Sequence, residues 1–363
     1  MERELKEQRF FMKRKEEHVE IALSQDVQNK HNYWKDIEFL HNALPEINME
    51  DIDLGTEFFG KKLNFPFVIS GMTGGFEEAR ETNENLARAA EKMQIGFGVG
   101  SERPILNKGN TRSYSVVKKY KIPVKIANIG APQLVDQKNE KAVTIKDIER
   151  IIKMIDANFL AIHLNFLQEI AQPGGEGNAE NILKAIGKVV SSVDVPVIVK
   201  ETGGGISKEV GEKLKNIGVE CIDAGGAGGT SFSAIEYYRA KAAGSELLQH
   251  IGKTFWNWGI PTPVSLMLLR DLNTRLIATG GIRSGVDIAK AIALGADLVG
   301  AAYPLLKPGV KSYKDSVSVL NLFKEELKST MFLLGIDSIE KLKNVKTLKF
   351  GRVRGWIEEL HLE

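Results

Sequence analysis

The feature of this 363-residue chain that most restricts its fold is a repeated unit that begins at about residue 65. Each unit has a short run rich in β-branched residues, then a glycine-rich or polar turn, then an amphipathic stretch. Strands that alternate with helices in this way form parallel sheets. The strand candidates cover residues 65–70, 95–100, 124–130, 158–165, 195–201, 220–226, 275–281 and 297–303. Eight parallel strands predict an α/β fold, the closed (β/α)8 TIM barrel.

An open, doubly wound parallel sheet uses the same alternation and is the main alternative. Against it, no G-x-G-x-x-G follows the first strand, and polar or glycine residues end nearly all eight strands rather than one switch point. We expect one domain over 1–363, because no Pro-, Gly- or Ser-rich linker divides the chain. Its barrel core would span about 65–305, between an N-terminal arm at 1–64 and C-terminal helices at 306–363.

Composition excludes several classes of protein. Lys and Arg (49) nearly balance Asp and Glu (47), so no overall positive field favours nucleic acid or an anionic membrane. The single cysteine, Cys221, excludes an intramolecular disulfide and a Cys-rich zinc site. The N-terminus is charged throughout, and no stretch reaches the roughly 18 apolar residues of a membrane span. We therefore expect a cytoplasmic protein with a small-molecule ligand and neither a nucleic-acid nor a membrane partner.

Glycine-rich turns follow three of the late strands, and barrels place their sites at this C-terminal mouth. Strands 7 and 8 end in TGGIR (279–283) and GAA (300–302), and GGAGGTS (225–231) follows strand 6. Such turns let backbone N–H groups approach a phosphate closely, and the hydroxyls of Thr230 and Ser231 add donors. Ordinary tight turns without a ligand are the alternative.

Polar side chains gather at the ends of strands 4 and 5. His163 and Asn165 share one face, and Gln168 and Glu169 follow in the loop. One carboxylate with neutral oxygen neighbours suits Mg²⁺ held through waters beside a phosphate. Lys200 at the end of strand 5 must meet an anion, and the electron-rich edge of a flavin would serve. A structural histidine and a solvated lysine are the alternatives.

Cationic side chains are expected near the same mouth. Arg14 and His18 share a helical face with Lys15 beside them, and three such donors can bind a diphosphate. A solvated helix shows the same pattern. Arg103, which follows strand 2, would reach over the mouth.

Taken together, these segments resemble the type 2 isopentenyl diphosphate isomerases, an FMN-dependent barrel family. The motifs RKEEH, SGMTGG, GSER, ANIGAPQ, HLNFLQE, VIVKE, GGAGGTS, WGIPTP and TGGIRSG occur in the family's order. The set is specific, and it covers nearly the whole chain. One departure is visible, because the family commonly has QPEGD where this chain has QPGGEG at 172–177.

The resemblance implies a role for individual residues. Those expected around the isoalloxazine ring of FMN are Met72, Thr73, Ser101, Asn128 and Lys200. Those expected around its ribityl phosphate are Thr230, Gly280, Gly281, Arg283, Ala301 and Ala302. Those expected to bind the substrate are Arg14, Lys15, His18, Arg103, His163, Asn165 and Gln168, with Glu169 supporting Mg²⁺.

The implied reaction is the interconversion of isopentenyl and dimethylallyl diphosphate in isoprenoid biosynthesis, an intramolecular shift of a carbon–carbon double bond. The sequence shows no obvious acid and base pair on opposite sides of one pocket. In the family, reduced FMN is thought to supply that function, with N5 as proton carrier and NADPH as reductant. Lys200, Gln168 and His163 would be the catalytic side chains, with Lys200 favouring the anionic reduced flavin.

Three other functions compete with this one. A 2-hydroxy acid oxidase would carry His-Gly-Gly-Arg, but the corresponding turn here reads Ala-Gly-Gly-Ala at 224–227. An inosine monophosphate dehydrogenase needs a cysteine nucleophile in a loop, whereas Cys221 lies within a strand and is expected in the core. A noncatalytic flavoprotein would leave the polar groups of strand 4 without a purpose.

As the resemblance to this family suggests, we also expect a homo-oligomer, a tetramer or an octamer, which would cover exposed aromatic side chains. The aromatic residues in question are Trp34, Trp256 and Trp258.

Overall fold

The computed structural model describes residues 14–106, 110–138 and 140–362. Residues 1–13 of the predicted arm and residue 363 lie outside these ranges. The strands within them are β1 (Ile37–Phe39), β2 (Thr56–Phe58), β3 (Lys61–Leu63), β4 (Phe67–Ile69), β5 (Gly96–Gly98), β6 (Lys125–Gly130), β7 (Phe159–Leu164), β8 (Val197–Glu201), β9 (Cys221–Asp223), β10 (Arg275–Ala278), β11 (Leu298–Ala301) and β12 (Thr347–Lys349).

The α-helices of the same ranges surround the strands or cover their ends. They are α1 (14–24), α2 (Ala79–Met93), α3 (Arg103–Leu106), α4 (Arg112–Ser115), α5 (Ile145–Ile155), α6 (Phe166–Ala171), α7 (Ile182–Val190), α8 (Lys208–Asn216), α9 (Phe232–Ala242), α10 (Glu246–Thr254), α11 (Thr262–Leu269), α12 (Gly285–Ala293), α13 (Tyr303–Lys311), α14 (Tyr313–Leu334), α15 (Ile339–Leu342) and α16 (Gly351–Glu359).

Strands β4 to β11 close into a barrel in which each strand pairs in parallel with the next. Val299 of β11 lies opposite Phe67 of β4, which completes the ring. Every predicted strand contains one of these eight, so the predicted (β/α)8 barrel is confirmed and the open sheet is excluded. Sequential parallel order also places all the strand-to-helix turns at one end.

The other end of the barrel is filled by apolar side chains. The β2–β3 hairpin contributes Phe58 and Leu63, which pack with Phe159 at the start of β7 and Leu298 at the start of β11. Cys221, at the start of β9, belongs to the same cluster and is fully buried, as predicted. The hairpin therefore closes the N-terminal end of the barrel, and a ligand enters from the C-terminal mouth.

The two ends of the chain meet beside the barrel. Strand β1 pairs antiparallel with β12, a strand in the segment that the sequence analysis expected to be helical. Trp34 is 1% exposed, so the prediction that it lies on the surface is wrong. Its indole is buried because the N–H donates to the carbonyl of Gly280 at 2.9 Å. Trp258, by contrast, is 64% exposed, as predicted.

The described helices include none that is both long and apolar enough to cross a lipid bilayer.

Candidate active site

One pocket opens at the C-terminal ends of the barrel strands, under helix α1. Every predicted site residue except Thr73 and Ser231 lines it, from Arg14 on α1 to Ala302 after β11. The Ser231 hydroxyl instead caps α9, where it accepts from the Ala234 N–H at 3.1 Å. Thr73 is buried next to Met72, and its carbonyl accepts hydrogen bonds from Gly100 N (3.1 Å) and Asn83 Nδ2 (3.3 Å). It therefore joins the turn after β4 to the end of β5 instead of facing the pocket.

The turn after β10 has a backbone conformation and a close packing that favour glycine. Gly280 and Gly281 have φ angles of +103° and +82°, which L side chains rarely adopt. A Cβ on Gly280 would lie 2.3 Å from the carbonyl oxygen of Gly226, so the turns after β9 and β10 touch backbone to backbone. Helix α13 begins at Tyr303, directly after Ala302, and adds its N-terminal dipole to the same region. This end of the pocket suits a phosphate.

Lys200 lies at the inner end of β8, where the sequence predicted a need for an anion. Its ammonium is 3.7 Å from a carboxylate oxygen of Asp223 and donates to the carbonyl of Glu201 at 2.6 Å. Asp223 also accepts from Thr279 Oγ1 (2.6 Å) and Gly225 N (3.2 Å). Lys200 thus brings a positive charge, held by Asp223, to the floor of the pocket.

His163 is held in one tautomer by its neighbour. Asn128 donates its amide N–H to the carbonyl of Val99, so its Oδ1 must accept from the Nδ1–H of His163 at 2.8 Å. Burial, together with the Lys200 and Lys15 cations, lowers the pKa of His163 to about 3. The imidazole is therefore neutral, with the lone pair on Nε2.

Gln168 and Glu169 lie on the short helix α6 rather than in the predicted loop. The Glu169 carboxylate accepts from Asn165 Nδ2 (3.0 Å), from the Glu176 N–H (2.9 Å) and from the amide of Gln172. Within the described ranges there is no group of three or more His, Cys, Asp or Glu side chains placed to hold a metal. A cation beside Glu169 would therefore need most of its oxygen ligands from water or from a bound ligand.

Helix α1 covers the mouth and is fastened to α9. His18 Nε2 lies 2.8 Å from Glu236 Oε1, and Arg239 donates to both Glu236 (2.6 Å) and Glu17 (3.0 Å). Burial alone would raise the pKa of Glu236, but His18 and Arg239 hold it at about 2. A second contact comes from Lys15, which donates to the carbonyl of Ser101 at 3.1 Å.

The cations on α1 crowd one another. Burial lowers the pKa of Lys15 to about 7, and the guanidinium groups of Arg14 and Arg103 act in the same direction. The pKa of Arg14 is lowered by burial and by Arg103 as well. Because like charges brought together out of water repel, a polyanion that bound here would relieve the repulsion.

Arg103 is bound by Glu176, which lies in the QPGGEG loop at 172–177 where this chain differs from the family's QPEGD. Glu176 accepts from both of its terminal nitrogens, at 2.9 and 2.6 Å, and also from Gln133 Nε2 at 2.6 Å. Glu140 lies 2.6 Å from the same guanidinium. A substrate phosphate that binds Arg103 must share it with these carboxylates.

Several buried carboxylates in or beside the pocket wall were not singled out by the sequence analysis. Glu201 and Asp223 end their strands, and Glu102 stands between two predicted site residues, so strand position was a usable signal. Burial raises the pKa of Glu201 to about 7, although three backbone N–H groups donate to it. Glu236 lies on α9, and nothing in the sequence distinguishes it from a solvated helical residue.

Two polar atoms of the pocket wall have unused hydrogen-bonding capacity in the described part of the chain. The hydroxyl of Ser70 and the amide oxygen of Asn165 line the cavity, are buried, and have no hydrogen-bond partner within the described residues. Buried polar groups are normally satisfied, so these two atoms indicate bound water or ligand.

The family of FMN-dependent dehydrogenases matches this chain over residues 18–104 and 178–348. Flavocytochrome b2 has the same fold, with a TM-score of 0.65 and 16% identity, over 90% of this chain and 81% of that one. Mandelate oxidase aligns with a TM-score of 0.59 and 16% identity, over 88% of each chain. Fold and site thus define the class, an FMN-dependent (β/α)8 barrel.

Nearer relatives specify the family within this class. The isopentenyl-diphosphate delta-isomerase of Picrophilus torridus is 46% identical over 346 residues, which cover 95% of this chain and 98% of the relative. Its namesakes in Thermoplasma volcanium and Archaeoglobus fulgidus are 47% and 44% identical, over 95% of this chain and 99% and 98% of theirs. The chain belongs to the family of isopentenyl-diphosphate delta-isomerases.

Proposed function

We propose that this chain interconverts isopentenyl and dimethylallyl diphosphate with reduced FMN, Mg²⁺ and NAD(P)H as the reductant of the flavin. The observation that carries the proposal is that two anion sites share one mouth. The glycine turn after β10 and the end of β11 at Ala301 and Ala302 form the first, and the cations of α1 with Arg103 form the second. A flavin phosphate and a substrate diphosphate would thereby bring ring and hydrocarbon together.

The first site fits FMN. Gly280, Gly281, Ala301 and Ala302 would surround the phosphate with backbone N–H groups, aided by Thr230 and Arg283. The remaining cofactor residues, which would lie around the ring, are Met72, Ser101, Asn128 and Lys200, with Thr73 behind them. Bound in its reduced form, FMN supplies an electron-rich ring that stabilises positive charge and carries a proton.

The second site fits a diphosphate. Arg14, Lys15 and Arg103 would bind its oxygens, with His18 as a further donor. Asn165 would contact the substrate or a water through its amide oxygen, which has no hydrogen-bond partner among the described residues. Glu169 would hold Mg²⁺ against the same phosphates. Binding energy from the diphosphate would then orient the distant double bond, which is where the reaction occurs.

The proposed catalytic side chains differ in the proton transfers and hydrogen bonds that they can provide. His163 is neutral with a lone pair on Nε2, and its pKa of about 3 makes it a weak base, so it would accept a hydrogen bond from the substrate rather than act as an acid. Gln168 donates to Glu236 at 3.2 Å, and this contact holds its amide toward α9. Gln168 would orient the substrate or relay a proton, and Lys200 would favour negative charge on the ring.

The assay that tests this function is anaerobic incubation of the purified protein with FMN, NADPH, Mg²⁺ and isopentenyl diphosphate. We expect dimethylallyl diphosphate to form without stoichiometric consumption of NADPH, because the reaction involves no net oxidation. Equal activity with the flavin omitted, or product that tracks NADPH loss mole for mole, would contradict the proposal. We further propose a tetramer or octamer, which sedimentation of the same sample would measure.

The pKa of Lys15 predicts how diphosphate binding depends on pH. With a pKa of about 7, Lys15 loses its proton in the free protein as the pH rises through that value. A bound anion favours the ammonium form, so affinity should decrease above pH 7, by at most about ten-fold per pH unit. Titration calorimetry with inorganic diphosphate from pH 6 to 9 measures this dependence.

The control for this prediction is Lys15→Arg, which stays charged throughout the range. The ionisation of the diphosphate itself changes with pH in the same way for both proteins. Any additional loss of affinity with rising pH in the unsubstituted protein therefore reports on Lys15. Identical pH profiles for the two proteins would show that Lys15 does not titrate against the diphosphate.

A further inference from the structure

A segment of the N-terminal arm, residues 28–34, lies behind the two glycine turns that face the pocket. We refer to it as the strap. Trp34 donates its indole N–H to the carbonyl of Gly280 at 2.9 Å, and Asn32 donates its amide to the carbonyl of Gly281 at 2.8 Å. Asn29 contacts the second turn in the same way, donating to the carbonyl of Gly229 from its backbone (2.8 Å) and its side chain (3.1 Å).

These bonds determine which way the peptide groups of the turn point. In a planar trans peptide, the carbonyl of one residue and the N–H of the next point in opposite directions. Holding the carbonyls of Gly280 and Gly281 against the strap therefore turns the N–H groups of Gly281 and Ile282 away from it. The pocket wall includes these glycines and Ile282, but neither Asn32 nor Trp34, so the strap and the cavity lie on different sides of the turn.

The orientation needs such a restraint because glycine has little preference of its own. Both residues have positive φ, and without side chains a peptide group between two glycines is free to rotate. A rotated group would present a carbonyl oxygen, instead of an N–H, to an anion. Thr262 Oγ1 adds a further hydrogen bond to the carbonyl of Gly280 at 3.0 Å.

The strap is itself well supported. The amide oxygen of Asn32 accepts from the N–H of Trp34, and Lys290 of α12 donates to the carbonyl of Trp34 at 2.9 Å. His31 is paired with Asp36 at 2.9 Å, and Asp36 accepts from the first N–H groups of α16. The strap is thus anchored both to the helix that follows the turn and to the C-terminal helix.

We propose that Trp34 and Asn32 are positioning residues for the phosphate of the flavin. They hold the Gly280 and Gly281 carbonyls outward, so that the N–H groups of Gly281 and Ile282 are presented to the phosphate before it binds. The inference rests on the proposed function, since it takes the turn after β10 to be the phosphate site. It adds two residues that do not themselves contact the ligand.

The test compares FMN with riboflavin, which has the same ring but no phosphate. Trp34→Phe keeps an apolar aromatic ring but removes the N–H donor together with part of the buried indole. We expect the Kd for FMN to rise by about ten-fold, the effect of one weakened hydrogen bond to a charged group, while the Kd for riboflavin is unchanged. Fluorescence titration of the flavin-free full chain measures both constants, and Asn32→Ala should show the same selective loss.

Trp256→Phe is the matched control, because Trp256 also donates its indole N–H to the strap, at 2.9 Å to the carbonyl of Gln28. It should leave the ratio of the two Kd values unchanged. Urea unfolding of each variant shows whether it is folded before flavin is added.

The outcomes separate the inference from the function on which it rests. If the unsubstituted protein binds riboflavin as tightly as FMN, the phosphate site itself is refuted. If that protein prefers FMN but Trp34→Phe weakens both flavins equally or neither, Trp34 only packs, and the inference fails. A loss of selectivity in Trp256→Phe as large as in Trp34→Phe would also overturn it.

Discussion

Replacing Lys200 with alanine is expected to lower the kcat for isopentenyl diphosphate by about a hundred-fold or more, the scale of losing a preorganised charge at a developing charge. Lys200 brings a cation to the floor of the pocket at the inner end of β8, 3.7 Å from Asp223. Without it, the floor of the pocket would lose the cation that favours negative charge on the ring. Steady-state turnover and the reduction potential of the bound flavin measure the effect, and the potential should become more negative.

Lys125 provides the matched control, because it is a buried lysine at the opposite end of the same barrel. It is 5% exposed at the start of β6, and burial lowers its pKa. Lys125→Ala should keep its kcat and flavin potential. Normal turnover together with normal flavin affinity in Lys200→Ala would refute the role assigned to Lys200.

Substituting Gly280 with alanine is expected to remove tight FMN binding and to destabilise the fold. The new Cβ would lie 2.3 Å from the carbonyl oxygen of Gly226, in a backbone conformation with φ of +103°. Strain and displacement together should lower the free energy of unfolding by about 3 kcal/mol. Because the turn must shift, we expect the Kd for FMN to rise by about a hundred-fold, equivalent to two phosphate hydrogen bonds.

Gly244→Ala distinguishes backbone strain from displacement of the turn. Gly244 also has a positive φ, +70°, but a Cβ there would meet nothing within 4 Å. Gly244→Ala should cost only about 1 kcal/mol and leave FMN affinity unchanged. Urea unfolding and flavin titration of both variants give the comparison. If Gly280→Ala binds FMN normally, the turn after β10 does not depend on close backbone packing.

The predicted positions of the candidate site residues agree with the structure where a strand or helix places them. Lys200 and His163 face the mouth because strand periodicity alternates side chains in and out. Arg14, Lys15 and His18 meet the pocket because helical spacing puts them on one side of α1. Prediction was less successful for α6, where Gln168 and Glu169 were expected in a loop, since six residues are too few for a clear helical pattern.

The contacts that hold these side chains in place could not be predicted from the sequence. Glu236 lies 218 positions from its partner His18, and Glu176 lies 73 positions from Arg103. Trp34 was expected at the surface as one of several exposed aromatic residues. It is buried because its indole finds a carbonyl 246 positions away.

The amino-acid sequence by itself determined the eight alternating units, the barrel they close into, and the mouth at which glycine turns and cations would gather. These features depend on local periodicity and on the handed, sequential packing of adjacent strands and helices, so they can be derived from neighbouring residues. Only the tertiary structure decided the protonation of Lys15 and His163, the carboxylates that hold Arg103 and α1, and the strap behind the phosphate turn. Each of these depends on burial and on contacts between residues far apart in the chain. The spacing of neighbouring residues in the sequence specifies neither.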